Sequence, residues 1–138
     1  MLEERIKLQN HLHALMNLGI EQIAIINKSG RVECIFSKNK MYLSREKQEM
    51  FFMGFRLHQS LLDDYDDEFG PVKCMIVERQ NIKLVSIPFF SYVVLSVMNV
   101  DFNHEFLVRK IHELKDIYSG RKLLADGCLC AEALTSPG

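Results

Sequence analysis

IEQIAIINKSGRVECIF, residues Ile20–Phe36, is the stretch on which the fold turns. Its first part is an apolar, β-branched run from Ile20 to Ile26, and Asn27-Lys28-Ser29-Gly30 then supplies the polar and glycine content of a tight turn. Past the turn, Val32, Cys34 and Phe36 alternate with Arg31 and Glu33, Ile35 being the exception, as a half-buried strand does. A connection this short makes the two strands antiparallel, since a parallel pair needs a crossover of about a dozen residues or more.

On the N-terminal side, Leu2, Ile6, Leu12, Leu15 and Met16 recur at close to a helical period and Gly19 closes the pattern as a C-cap. On the C-terminal side, Ser44 caps a second helix with Glu46 in its first turn. Met50, Phe51, Met53, Gly54, Phe55, Leu57, His58, Leu61, Leu62 and Tyr65 fill an arc of roughly 200° on that helix, with Phe52 stranded among the polar residues opposite. One sheet face cannot cover so wide an arc. The helix therefore needs two apolar partners, one of them another subunit. Phe69-Gly70-Pro71 stops it. Three strands are then expected at Val72 to Arg79, Lys83 to Ile87 and Tyr92 to Met98, joined at Gln80-Asn81 and at Pro88-Phe89-Phe90-Ser91. Asp101 or Asn103 caps a last helix carrying Phe106, Leu107, Ile111, Leu114 and Ile117 and ending at Gly120. The order is α-β-β-α-β-β-β-α, with an all-antiparallel sheet in an α/β domain over residues 1–120 and a flexible tail over 121–138.

The chain has 138 residues, 48% of them hydrophobic and 25% charged, which suits one folded domain. Its formal net charge of −1 provides no bulk basic field, so nucleic acid is not expected as a partner. The uncharged stretch Leu84 to Val100 is too short for a membrane span and is broken by Pro88, Ser86, Ser91 and Ser96; no membrane insertion is expected. The N-terminus goes straight into a charged amphipathic pattern, without a signal peptide, so a cytoplasmic location with reduced cysteines is expected.

Catalytic and cofactor patterns are missing. Seven scattered glycines cannot write a phosphate loop or a dinucleotide fingerprint, and His112-Glu113 and His104-Glu105 lack the spacing of a zinc protease. No serine sits in a nucleophile elbow. Cys128-Leu129-Cys130 lacks the second ligand pair that makes a zinc site, while Cys34 and Cys74 read as small core residues on strands. His58, within the apolar arc, reads as a hydrogen-bonded core or interface histidine. No catalytic residue, cofactor or metal is expected.

Asp63, Asp64, Asp66, Asp67 and Glu68 crowd a helix C-terminus, where the macrodipole disfavours negative charge by ~0.3–1 kcal/mol per well-placed group. They fit a solvated helix end balanced by Lys73 or Arg79, a basic protein partner, or a divalent cation, although the spacing is not that of a calcium loop.

The element order is similar to that of the roadblock/LC7 family and its longin and profilin-like relatives, and the local likeness is greatest over Gly19–Gly30. Glu49 to Arg56, Asp63 to Glu68 with Phe69-Gly70-Pro71-Val72, and Val85-Ser86-Ile87-Pro88 resemble a small archaeal family of roadblock-like proteins. The likeness spans about residues 2 to 118. It implies a five-stranded antiparallel sheet with the central helix on one face and both terminal helices on the other. It also implies a dimeric scaffold or regulator of small GTPases or motor complexes without catalysis of its own. A homodimer is expected on Met50, Met53, Leu57 and Leu61 of the central helix and an outward Met75 and Val77 of the edge strand. The alternative is a small-molecule sensor with a pocket lined by Phe51, Phe55, Met75 and Tyr92.

Overall fold

The computed structural model describes residues 2–38 and 43–118. The chain forms α1 (Leu2–Leu15) with a closing 3-10 turn (Met16–Leu18), then β1 (Ile20–Ile26) and β2 (Val32–Ser37). There follow α2 (Arg45–Asp63), a one-turn α3 (Asp66–Phe69), β3 (Met75–Glu78), β4 (Lys83–Phe89), β5 (Tyr92–Met98) and α4 (His104–Ile117). One five-stranded sheet has the order β2-β1-β5-β4-β3, and all its pairs are antiparallel. The tail expected from Arg121 to Gly138, with Cys128 and Cys130, lies outside the described residues, as does Gly120.

Local chemistry sets the element ends. Gly19 ends the first helical segment in the left-handed region at φ 104°, where a side chain is disfavoured. In the β1–β2 turn the Asn27 side-chain oxygen accepts from the backbone N–H of Ser29 and Arg31, at 2.9 and 3.1 Å, and Gly30 takes φ 84°. Ser44 caps α2 by accepting from Lys47 N–H, and Asn103 rather than Asp101 caps α4 by accepting from Glu105 N–H.

Side-chain alternation distributes the strands between two clusters. Ile23, Ile25, Val85, Ile87 and Val94 lie under α1 and α4, against Leu12, Leu15, Met16, Leu107, Ile111 and Leu114. Ala24, Ile26, Leu84, Val93, Leu95 and Val97 lie under α2, against Phe52 and Phe55. The terminal helices thus share one face and α2 takes the other. All seven residues of β5 are buried, which explains why the run around them shows no polar alternation: both faces of the central strands are covered.

Four expectations are corrected. First, the central helix does not run on to Phe69: α2 ends at Asp63, and the chain restarts at Asp66 after Tyr65 at φ −107°, ψ 13°. This break moves Asp66, Asp67 and Glu68 from a helix C-terminus into the first turn of α3, where free N–H groups suit carboxylates. Second, β3 begins at Met75, so Val72 and Cys74 belong to the approach to the strand. Third, β4 continues through Pro88 to Phe89 and the β4–β5 turn is only Phe90-Ser91. Phe90 adopts φ 57°, a strained conformation for a bulky residue. It packs edge-to-face on Phe89 at 5.1 Å, with Lys115 over its ring. Fourth, Phe52 is not stranded but buried beneath α2.

Candidate functional site

The buried residues of α2 are Phe52, Phe55 and Gln59, spaced i, i+3, i+7 as one stripe toward the sheet. At about 100° per residue, Met50, Leu57 and Leu61 centre on the opposite side of the helix, roughly 180° away. Their exposures are 75%, 59% and 63%, and Met53 beside them is also exposed. The helix is therefore apolar on its inner and its outer sides, while Arg56, Ser60 and Asp63 occupy one flank. Leu62, on the apolar arc of the sequence, is exposed as well.

The β3 edge adjoins this surface. β3 pairs only with β4, leaving its other side open among the described residues. Met75 and Val77 do not point outward as expected: alternation turns them toward α2, where they pack partly buried against the Phe52–Phe55 cluster. Ile76, on the other face, is the exposed apolar residue of the strand. Between α2 and β3 runs an apolar groove of about 400 Å³, lined by Met50, Phe51, Phe55, Met75 and Val77 with His58 and Arg79 at hand. Tyr92, expected in this pocket, belongs to the cluster under α1 and α4 and is separated from it by the sheet. His58 is an exposed residue of the groove wall, not a core histidine.

Gly54 also lines the groove, and a Cβ built there would meet nothing within 4 Å. A mid-helix glycine costs ~0.5–1 kcal/mol relative to alanine. Nothing among the described residues requires it. Sequence reasoning placed Gly54 on the arc without a role; its position halfway along the helix, with no turn to serve, was the available signal.

The acidic segment continues from the same helix. Gln59 Nε2 donates to Asp63 Oδ1 at 2.8 Å, and Asp64, Asp67 and Glu68 are exposed. Among the described residues neither Lys73 nor Arg79 forms an ion pair with them. Tyr65 and Phe69 contact each other at 6.5 Å beside these carboxylates, and Phe69 is 85% exposed. Sequence reasoning had treated Phe69 only as part of a helix stop.

Cys34 is buried in the α1/α4 cluster, and Cys74 is half-buried at its margin. Burial pushes the Cys74 thiol above its ordinary pKa, against the opposing pull of Lys73, so it stays protonated at neutral pH. Among the described residues no three His, Cys, Asp or Glu side chains converge as a metal-ligand set, and no helix is long and apolar enough to cross a membrane.

No family model matches the chain, and no curated protein aligns with it. Solved structures do resemble it. A roadblock/LC7 domain from Streptomyces avermitilis superposes with a TM-score of 0.57 at 12% identity, over 72% of this chain and 82% of that one. MglB in a tetrameric arrangement gives 0.56 at 10% identity over 95% and 90%. MglC from Myxococcus xanthus gives 0.52 at 13% identity over 79% and 97%. At such identities the likeness is one of architecture, and the chain has the roadblock/LC7 fold.

Proposed function

We propose that the protein is a non-catalytic scaffold or regulatory subunit that acts as a homodimer through the outer face of α2 and the open edge of β3. The observation that carries this reading is the stripe of Met50, Leu57 and Leu61, exposed directly opposite the helix's own sheet-facing residues. A helix with a single partner gains nothing from a second apolar side. That stripe, Gly54, the groove and the β3 edge form one neighbourhood, because α2 and β3 line the groove together. A second copy covers all of it by twofold symmetry: helix lies on helix, and β3 pairs with β3 into a ten-stranded sheet, removing the edge hazard. The roadblock architecture supports the same arrangement.

The partner of such a dimer, on the resemblance, is a small GTPase or another component of a signalling complex. Asp63, Asp64, Asp66, Asp67 and Glu68, with Tyr65 and Phe69 beside them, suit a basic protein surface carrying an apolar anchor. The sensor reading has the groove of about 400 Å³ in its favour, large enough for a small apolar ligand. The scaffold reading also accounts for Leu57 and Leu61, which the groove does not use.

Light scattering at tens of micromolar tests the dimer. The wild type is expected near 32 kDa, twice the chain mass of 16.0 kDa, and Leu57→Asp or Leu61→Asp near 16 kDa with unchanged circular dichroism. A wild-type mass of 16 kDa under these conditions excludes a homodimer with a Kd of about 1 μM or tighter.

A further inference from the structure

On the opposite side of the sheet from α2, a second cavity of about 500 Å³ lies between α4 and the approach to β3, lined by Lys73, Cys74, His104, Glu105, Arg109 and His112. Its charge balance is unusual for a chain of net charge −1. Lys73 and Arg109 are exposed, and neither forms an ion pair with any described residue. The Arg109 guanidinium lies over the Phe106 ring, 6.0 Å from its centroid. Glu105 is the single carboxylate of the lining.

Behind His104 stands a third cation. Lys83 is 4% exposed, in a strand otherwise built of apolar and hydroxyl side chains. Its ammonium donates to the Phe102 carbonyl and to His104 Nδ1, the latter at 3.0 Å, and no described carboxylate neutralises it. An ammonium has no lone pair, so His104 Nδ1 must be the acceptor and the ring's own proton sits on Nε2. A buried, carboxylate-free ammonium thus turns the imidazole into an N–H donor. His112 faces a carbonyl, Lys73 O at 3.2 Å, and so donates from Nε2, tying α4 to the Lys73–Cys74 segment. His104 and Glu105 also begin α4, a helix of 14 residues whose positive end lies at this cavity.

We propose that this cavity binds a phosphate group, free or as the phosphomonoester of a small molecule, held by Lys73 and Arg109 with the His104 imidazole as a further donor. Three cations against one carboxylate leave an excess of two positive charges, which matches the ~1.5 to 2 negative charges of a phosphomonoester at neutral pH. Arginine's fork and lysine's point charge are the two side-chain chemistries that recognise such oxygens. The cavity exceeds the space one phosphate ion fills and falls within the ~300–1,000 Å³ range of small-molecule sites. It lies across the sheet from α2, the helix that carries the proposed dimer stripe.

Titration of the full chain with inorganic phosphate and, separately, with ribose 5-phosphate tests the site, read by NMR of the histidine ring signals. The expected result is a saturable shift at His104 and His112, absent from His11, His13 and His58, with a Kd of ~1 mM or below. Lys73→Gln and Arg109→Gln each weaken binding threefold or more and together tenfold or more, with the wild-type spectrum otherwise kept. Ribose 5-phosphate binding tenfold tighter than phosphate assigns the site to an ester, and equal affinities assign it to free phosphate. The proposal is overturned if neither probe gives a saturable shift up to ~20 mM, if sodium chloride at matched ionic strength reproduces the shift, or if the double variant binds like the wild type.

Discussion

Under α1 and α4 the sheet is sealed by two helices, and the cluster they close is built almost entirely of Leu, Ile, Val and aromatic side chains with near-zero exposure. Under α2 a single helix contributes two phenylalanines and a glutamine, Gln59 Oε1 has no hydrogen-bond partner, and the helix turns a second apolar stripe outward. The first face has its apolar cluster closed beneath two helices. The second has one core layer and a further surface of the same chemistry left bare, as half of an interface does. Stability is thus concentrated on one side of the sheet and association on the other, and substitutions on the two sides are expected to affect different measurements.

The largest stability effect belongs to the sealed face. Ile111→Ala removes buried methylenes beneath α4 and is expected to cost ~2–5 kcal/mol in denaturant unfolding, with association unchanged in the folded fraction. An equally large loss from Leu57→Asp would erase the contrast between the faces. Next comes Gly30→Ala. It places a Cβ at φ 84°, 3.1 Å from Met53 Cγ, and should cost ~1–2 kcal/mol while pushing α2 outward. A smaller effect of opposite sign is expected at Gly54. Gly54→Ala fits in open space and should stabilise a Leu57→Asp monomer by ~0.5–1 kcal/mol while weakening self-association of the wild type. Stabilisation without weaker association would show that no partner backbone approaches this turn. The smallest change is Gln59→Met, which removes an unpartnered buried oxygen and is expected to leave stability unchanged or up to ~1 kcal/mol higher. A larger loss would mean that Gln59 serves the face through more than its bond to Asp63.

Much of this architecture was legible in the chain. The Asn27–Gly30 turn and the span of β5 follow from turn chemistry and hydrophobic runs, while the sharing of one face by the terminal helices was implied by the roadblock/LC7 resemblance. The phase of α2 was legible only in part. Met50, Met53, Leu57 and Leu61, expected at a subunit contact, do lie exposed, whereas Phe52, placed among the polar residues opposite the arc, is the buried one. Only the sheet decides which stripe is inner. The helix break at Asp64 was likewise hidden in the pattern, although the dipole cost of five carboxylates clustered at one helix C-terminus was the available signal. The surroundings of Lys83 come from three segments far apart in sequence, at 73–74, 83 and 102–112, and no local spacing reports them. A lysine opening an apolar strand was the one trace.

The open edge of β3 offers the most direct test, because β2 is the other edge of the same sheet and serves as an internal control. Amide hydrogen exchange should be followed at about 0.1 μM and about 100 μM, on either side of the Kd of ~1 μM taken above as the dimer limit. Dimerisation through α2 and β3 predicts that amides within Met75–Glu78 and the outer face of α2 gain protection with concentration, while those of Val32–Ser37 do not change. Protection at β3 that is independent of concentration, or a gain confined to β2, would contradict it.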